Sequence, residues 1–236
     1  MKQPSGEPAY SWLTYVQLLD SALPIGGFSH SFGLETFVQM GAVQKPEQLR
    51  QYIETMLFHS WTPVDALAVK AVYQYAPDED WESLWLVDRM QHVQRAAAET
   101  RDGVLKMGRR LNQLARSIHP ELPWEPLQTA VREQRCFGTH PLIHGWISYH
   151  LQVPLAMAVE GYLYTCTMTC INSGLRLMSI GQTEGQRLLA QLLPVIAMAW
   201  NEAGHLDPLE DGFANAPSAE IAMMRHEALY SRLFMS

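Results

Sequence analysis

Histidine supplies the first candidates for chemistry in this chain. His140 and His144 stand four residues apart, and His150 follows six later. On a helix, an i, i+4 pair of imidazoles can bind zinc or nickel from one face. Pro141 and Gly145 fall inside the same stretch and disfavour a continuous helix, and no carboxylate completes a His-Glu-x-x-His arrangement. Packing is the favoured role for these rings. The alternative is a metal-dependent enzyme or nickel-binding protein using His140, His144 and His150. Cys166 and Cys170 are one turn apart on an apolar stripe and read as buried thiols, with a transient metal site as the competing reading.

Other catalytic arrangements are missing. Gly26-Gly27, within Leu23-Pro24-Ile25-Gly26-Gly27-Phe28-Ser29-His30-Ser31-Phe32-Gly33-Leu34-Glu35, resembles a phosphate loop only loosely, because the chain contains no Gly-Lys pair to meet a nucleotide phosphate. A tight turn feeding a helix capped by Ser29 or Ser31 accounts for it as well. No Gly-x-Ser-x-Gly elbow is present. The expectation is a protein that is not an enzyme, with no catalytic residue, cofactor or resident metal.

Two polar-apolar segments suit binding better than catalysis. Gly181-Gln182-Thr183-Glu184-Gly185-Gln186 is a turn opening a helix, with Thr183 as its cap. Gln182 and Gln186, at i and i+4, would form an adaptable hydrogen-bonding surface near Arg176, or simply an ordinary helix start. The second segment runs from Met224 to Leu233-Phe234-Met235-Ser236. Chain ends are usually polar and frayed, since ordering them costs about 1–2 kcal/mol per residue. An apolar terminus must dock into its own core or into a partner. Ile221, Met224, Ala228 and Leu229 stand at helical spacing after Ser218, a candidate cap.

The elements that must carry these segments read as helices. Residues 10–20 place Trp12, Leu13, Val16 and Leu19 on one face, and Pro46 begins a helix followed by Leu49, Tyr52, Ile53, Met56 and Leu57. Pro63 is expected to start another, ending before Pro77. Asp80 is a cap for a helix bearing Trp81, Leu84, Trp85, Asp88 and Val93. Further helices are expected over 100–114 and 182–203, with breaks at 22–28, 119–126 and 204–217. Residues 162–171 alternate with period two, yet the uninterrupted window 154–180 is long for a strand and favours helix. The fold class is therefore all-α: a single-domain bundle of about ten helices over residues 1–236, with a short N-terminal arm (about 1–9) and a partner-docking tail (about 218–236).

Composition narrows the partners. The 236 residues are 47% hydrophobic and 17% charged, below the roughly 25% usual in soluble domains, so some apolar surface is reserved for association. A net charge of -7 with no Lys/Arg-rich run argues against nucleic acid. The apolar run 188–200, interrupted by Gln191 and Pro194, is too short to span a bilayer. Three cysteines make no disulfide framework and the N-terminus lacks a signal-peptide stretch, which together point to the cytoplasm.

Three long segments carry a resemblance. Leu18-Leu19-Asp20 through Glu35, Leu175-Arg176-Leu177 through Gln186, and Met224-Arg225-His226-Glu227 through Tyr230-Ser231-Arg232-Leu233-Phe234 occur in the order of the urease accessory protein UreF family, and together the chain resembles that family over nearly its whole length. The pattern departs at Arg101-Asp102-Gly103-Val104 before Met107-Gly108, where Arg-x-x-Ser is expected. The resemblance implies an all-α, homodimeric, non-enzymatic urease-maturation chaperone. Such a protein joins the accessory protein UreD/UreH and the GTPase UreG, and regulates nickel delivery to apo-urease. It also implies a partner-binding set comprising Tyr164, Arg176, Gln182, Gln186, Tyr230, Arg232, Leu233 and Phe234, with the tail directed to UreD/UreH and the Arg176–Gln186 region toward UreG.

Overall fold

Helix follows helix throughout the computed structural model, which describes residues 12–236. The elements are α1 (Trp12–Leu18), α2 (Leu34–Gln39), α3 (Pro46–Met56), α4 (Leu67–Tyr75), α5 (Trp81–Val93), α6 (Ala98–Ile118), α7 (Glu125–Arg132), α8 (His140–His150), α9 (Leu155–Leu177), α10 (Gln182–Ala203) and α11 (Pro217–Arg225). With α3 and α4 joined as one rod, these make ten helices, and no strand occurs among the described residues. The period-two stretch at 162–171 lies within α9. The expected N-terminal arm lies outside the described residues, as does the start of the first expected helix.

Pro46 suits the first turn of the rod, where its missing N–H has no partner to lose, and the Gln48 side chain accepts the Lys45 N–H at 3.0 Å. The rod then passes without a break through a π-helical segment, Leu57–Ala66, into α4. Pro63 therefore does not start a new helix, contrary to the expectation. It sits inside the wide turn, which tolerates its ring and its missing donor. The His59 carbonyl, four residues earlier, would lack that donor in a regular helix; here the Asn215 N–H supplies it at 2.7 Å. The Gln91 side chain donates to the neighbouring Val64 carbonyl.

α8 is packed between α4 and α6, while α9 lies along α10. The expectation that Pro141 and Gly145 would interrupt a helix is corrected: α8 is continuous from His140 to His150. Pro141 occupies the first turn, where proline is accommodated. Gly145 permits close approach, since a Cβ there would stand 3.0 Å from the Val69 Cα. Two apolar clusters result. One gathers Leu34, Leu49, Ile53, Leu163 and Leu192; the other gathers Leu84, Leu111, Leu127, Leu142 and Trp146.

Asp88, fully buried on α5, fixes the turn before α8. Its carboxylate accepts the N–H groups of Phe137 (2.6 Å), Gly138 (3.0 Å) and Thr139 (3.0 Å), and the Thr139 hydroxyl at 2.6 Å. Four donors satisfy a charge that would otherwise be prohibitively costly to bury.

The last helix differs from its sequence reading. α11 begins at Pro217, so Ser218 lies in its first turn rather than capping it, and it gives way after Arg225 to a short 3-10 turn, His226–Ala228. Its inward face is Ala219, Ala222 and Met223, leaving Ile221 and Met224 exposed. The Thr36 hydroxyl fixes this rotation by donating to the Ala222 carbonyl at 2.9 Å. Thr183 likewise makes no cap bond; Gly181 precedes α10.

Candidate partner interface

The three segments that carry the family resemblance meet at one place. The chain from Leu229 to Ser236 leaves the 3-10 turn and runs back to the loop between α1 and α2. Met235 N–H donates to the Ser29 carbonyl at 2.8 Å. The Ser236 backbone oxygen accepts the N–H groups of Ser31 (2.6 Å) and Phe32 (3.2 Å) and the Ser31 hydroxyl at 2.8 Å. The Ser236 Oγ lies 2.7 Å from His30 Nδ1. Left-handed backbone at Phe32 (φ 49°) and Gly33 (φ 95°) turns the chain here, a conformation uncommon for a residue other than glycine. Gly33 is the residue that precedes α2, yet the Ser31 hydroxyl accepts the Glu35 N–H of its first turn at 3.4 Å while donating to the tail.

Glu35 anchors the tail from α2. Only 2% exposed, its carboxylate accepts the Leu233 N–H at 2.7 Å and the Phe234 N–H at 3.1 Å, and meets His226 Nε2 at 3.0 Å. The other ring nitrogen of His226 lies 2.6 Å from Glu99 on α6, whose second oxygen accepts from Arg232 at 2.6 Å. Arg176, at the end of α9, completes the junction: it donates to the Phe28 carbonyl at 2.7 Å and stands 4.3 Å from the centroid of the buried Phe234 ring.

Of the expected partner-binding residues, Arg176, Arg232, Leu233 and Phe234 are brought together at this junction. Tyr230 is fully exposed beside it. Gln182 and Gln186 are exposed on the first turns of α10, which packs against α9 through Gly185, while Tyr164 is half-buried against the larger core. Phe28, Leu233 and Met235 leave apolar area in solvent around the docked tail. At the departure from the family pattern, Gly103 brings α6 against His30, whose ring would lie 2.9 Å from a Cβ there.

Behind the junction is a cavity of about 110 Å³, lined in part by His30, Asp65, Arg95, His140, Tyr162 and Cys166. Asp65 and Arg95 form an ion pair, and burial pushes the Asp65 carboxyl up even so. Burial lowers His140 to about 3 and His144 to about 4, so both rings are neutral. Burial also pushes the Cys166 and Cys170 thiols up, away from the reactive thiolate. His140 and His144 do share a face, 5.2 and 5.3 Å from the Tyr162 ring, but His150 packs on Trp146 and Tyr149 at 4.6 and 5.0 Å. The three histidines do not converge, and no group of three or more His, Cys, Asp or Glu side chains placed to hold a metal occurs among the described residues. The alternative reading of His140, His144 and His150 as a shared site is thus corrected. A helix long and apolar enough to cross a membrane is also absent among the described residues.

Glu35, Glu99 and His226 were not singled out from sequence. Glu35 and His226 lie inside recognisable motifs, but Glu99 shows nothing locally that marks it as their partner. The described residues form an all-α protein whose tail is held against its own surface by buried polar groups.

Comparison with known proteins places this arrangement. The UreF family profile matches residues 43–193. The urease accessory protein UreF of Lachnoclostridium phytofermentans is 34% identical over 229 residues, covering 95% of this chain and 98% of that protein. The UreF of Bacillus sp. (strain TB-90) is 33% identical, covering 95% and 98%, and that of Nostoc sp. is 34% identical, covering 96% of each. The chain belongs to the UreF family, a family of accessory proteins rather than enzymes.

Proposed function

We propose that this chain is a non-enzymatic scaffold in urease maturation, which recruits the GTPase UreG to a UreD/UreH-containing complex for nickel insertion into apo-urease. The observation that carries the reading is the convergence of the three family segments at the Glu35–Phe234–Arg176 junction, with Phe28, Tyr230, Leu233 and Met235 exposed around it. Exposed apolar side chains beside fixed charges suit a protein partner. The tail and the 26–35 loop form the UreD/UreH face; Gln182 and Gln186 lie on the UreG face. The protein acts in the cytoplasm as a homodimer. It couples the GTPase cycle to nickel release by binding one state of UreG more tightly than another, since a partner shifts an equilibrium only by differential affinity.

Size-exclusion chromatography with light scattering tests this on the chain mixed with UreD/UreH and UreG in the presence of GTP. The expected result is one co-eluting heteromer. A folded chain that elutes alone from that mixture would overturn the recruitment reading.

A further inference from the structure

Helix α6 carries its positive charge on one side. Gly108 fixes the inner face, since a Cβ there would collide with the Gly138 carbonyl oxygen, and Val104, Met107, Leu111 and Ala115 are buried with it. Lys106, Arg109, Arg110, Gln113 and Arg116 are left outward and exposed. At 1.5 Å per residue the row is about 15 Å long. Residues 103–120 contain no Asp or Glu, in a chain whose net charge is -7. Most other cations are answered: Arg50, Arg95, Arg187 and Arg232 meet carboxylates, and Lys70 and Arg176 hold backbone carbonyls. Among the described residues Lys106, Arg109 and Arg110 have neither kind of partner, and Arg116 reaches only the Gln128 side chain at 3.0 Å. Lys106 stands three and four residues before Arg109 and Arg110, the spacing at which like charges on a helix repel.

The row reaches the tail junction. Arg110 lies against the backbone at Gly26, where a Cβ would collide with its guanidinium. Burial first, and then the charges of Lys106 and Arg110, lower His30 to about 4, so both cations stand near the ring that meets Ser236. Phe28, Leu233 and Met235 are exposed around the same loop and tail. We propose that α6 extends the UreD/UreH face, where Lys106, Arg109, Arg110 and Arg116 seat an acidic segment of that partner. The carboxylates of that segment are spaced about one helical turn apart, to match the row. The inference rests on the tail and the 26–35 loop forming the UreD/UreH face. Four cations are too few to hold a nucleic acid or an anionic bilayer against the charge of the whole chain, because attraction to a polyanion grows with their number. A short acidic stretch beside an apolar anchor matches both the row and the exposed side chains at its end.

Association of UreD/UreH with the whole chain, followed at salt between about 0.05 and 0.3 M, tests this. Wild-type association is expected to slow as salt rises. Lys106→Glu with Arg109→Glu should associate at least about tenfold more slowly at low salt, with a flatter salt dependence. Arg109→Glu with Arg116→Glu should act in the same direction and leaves both cations beside the 26–30 loop in place. A carbodiimide, which condenses an amine with a carboxylate in contact, should link Lys106 to an Asp or Glu of UreD/UreH in the wild-type complex. Wild-type rates in both variants, or a Lys106 that forms no such link, would overturn the acidic-segment inference and leave the tail reading standing. A wild-type chain that does not bind UreD/UreH at all would sink the tail reading, and this inference with it. Retention of the wild type by phosphatidylserine vesicles, lost in Lys106→Glu with Arg109→Glu, would overturn the inference by assigning the row to lipid.

Discussion

The Arg176 guanidinium stands 4.3 Å from the centroid of the Phe234 ring while donating at 2.7 Å to the Phe28 carbonyl, so one side chain joins the end of α9, the 26–29 loop and the tail. An exposed cation–π contact contributes about 0.5–1 kcal/mol and a charge-assisted hydrogen bond somewhat more. Arg176→Ala should loosen tail docking by about 2 kcal/mol, read as a roughly thirtyfold faster exchange of the tail amides. Arg176→Lys should recover part of it. Unchanged exchange in the alanine variant would show that Arg176 is not holding the tail.

Arg232→Ala combined with Phe234→Ala removes the Glu99 ion pair and the buried ring of the tail. The helical content, carried by α1 to α11, should be unchanged by circular dichroism, while UreD/UreH is no longer retained in a pull-down. Full retention would refute the tail's role in partner binding.

Gln182→Ala with Gln186→Ala changes only exposed side chains at the start of α10. UreG recruitment should weaken at least tenfold by titration, with UreD/UreH binding intact. Loss of both partners together would contradict the assignment of separate faces.

Asp88 is the acceptor for four donors that position the start of α8. Asp88→Ala strands buried N–H groups and should cost about 3–5 kcal/mol of stability. For a chain of this size that corresponds to a melting temperature lower by roughly 10 °C. Asp88→Asn, which keeps one accepting oxygen, should fall between. A melting curve for Asp88→Ala within a degree or two of wild type would refute the role.

Acid should weaken the core. His140 and His144 sit at about 3 and 4 in the fold, held down first by burial, against about 6.5 in the unfolded chain. Between those values the unfolded state binds more protons, so global stability falls as pH drops from about 6.5 toward 4. His144→Gln should flatten the acid slope measured by denaturant unfolding; an undiminished slope would assign it to other groups.

Helices with a clear apolar period were legible in sequence: α10 runs over the expected 182–203, and α9 fills the window that alternation left ambiguous. What escaped was governed by long-range packing. Pro63 and Gly145 look like helix breakers until Asn215 and Val69 are seen beside them. The face of α11 was misjudged because Thr36, far away in sequence, sets its rotation. The tail's apolar ending and the Gln182 turn stood out in the sequence, but the Glu35–His226–Glu99 cluster spans three distant stretches. Only their convergence makes it a unit.

The wide turn around Pro63 has a geometric consequence for the rod that contains it. A regular helix advances about 100° per residue, and each widened turn shifts the phase of everything that follows. Upstream, Leu49, Ile53 and Met56 point into one apolar cluster; downstream, Leu67 and Val69 stay in that cluster while Ala68, Ala71 and Val72 enter the other. Beyond the π-helical segment the rod thus faces both clusters at once, so one unbroken rod is a wall of both and ties their orientations to a single axis.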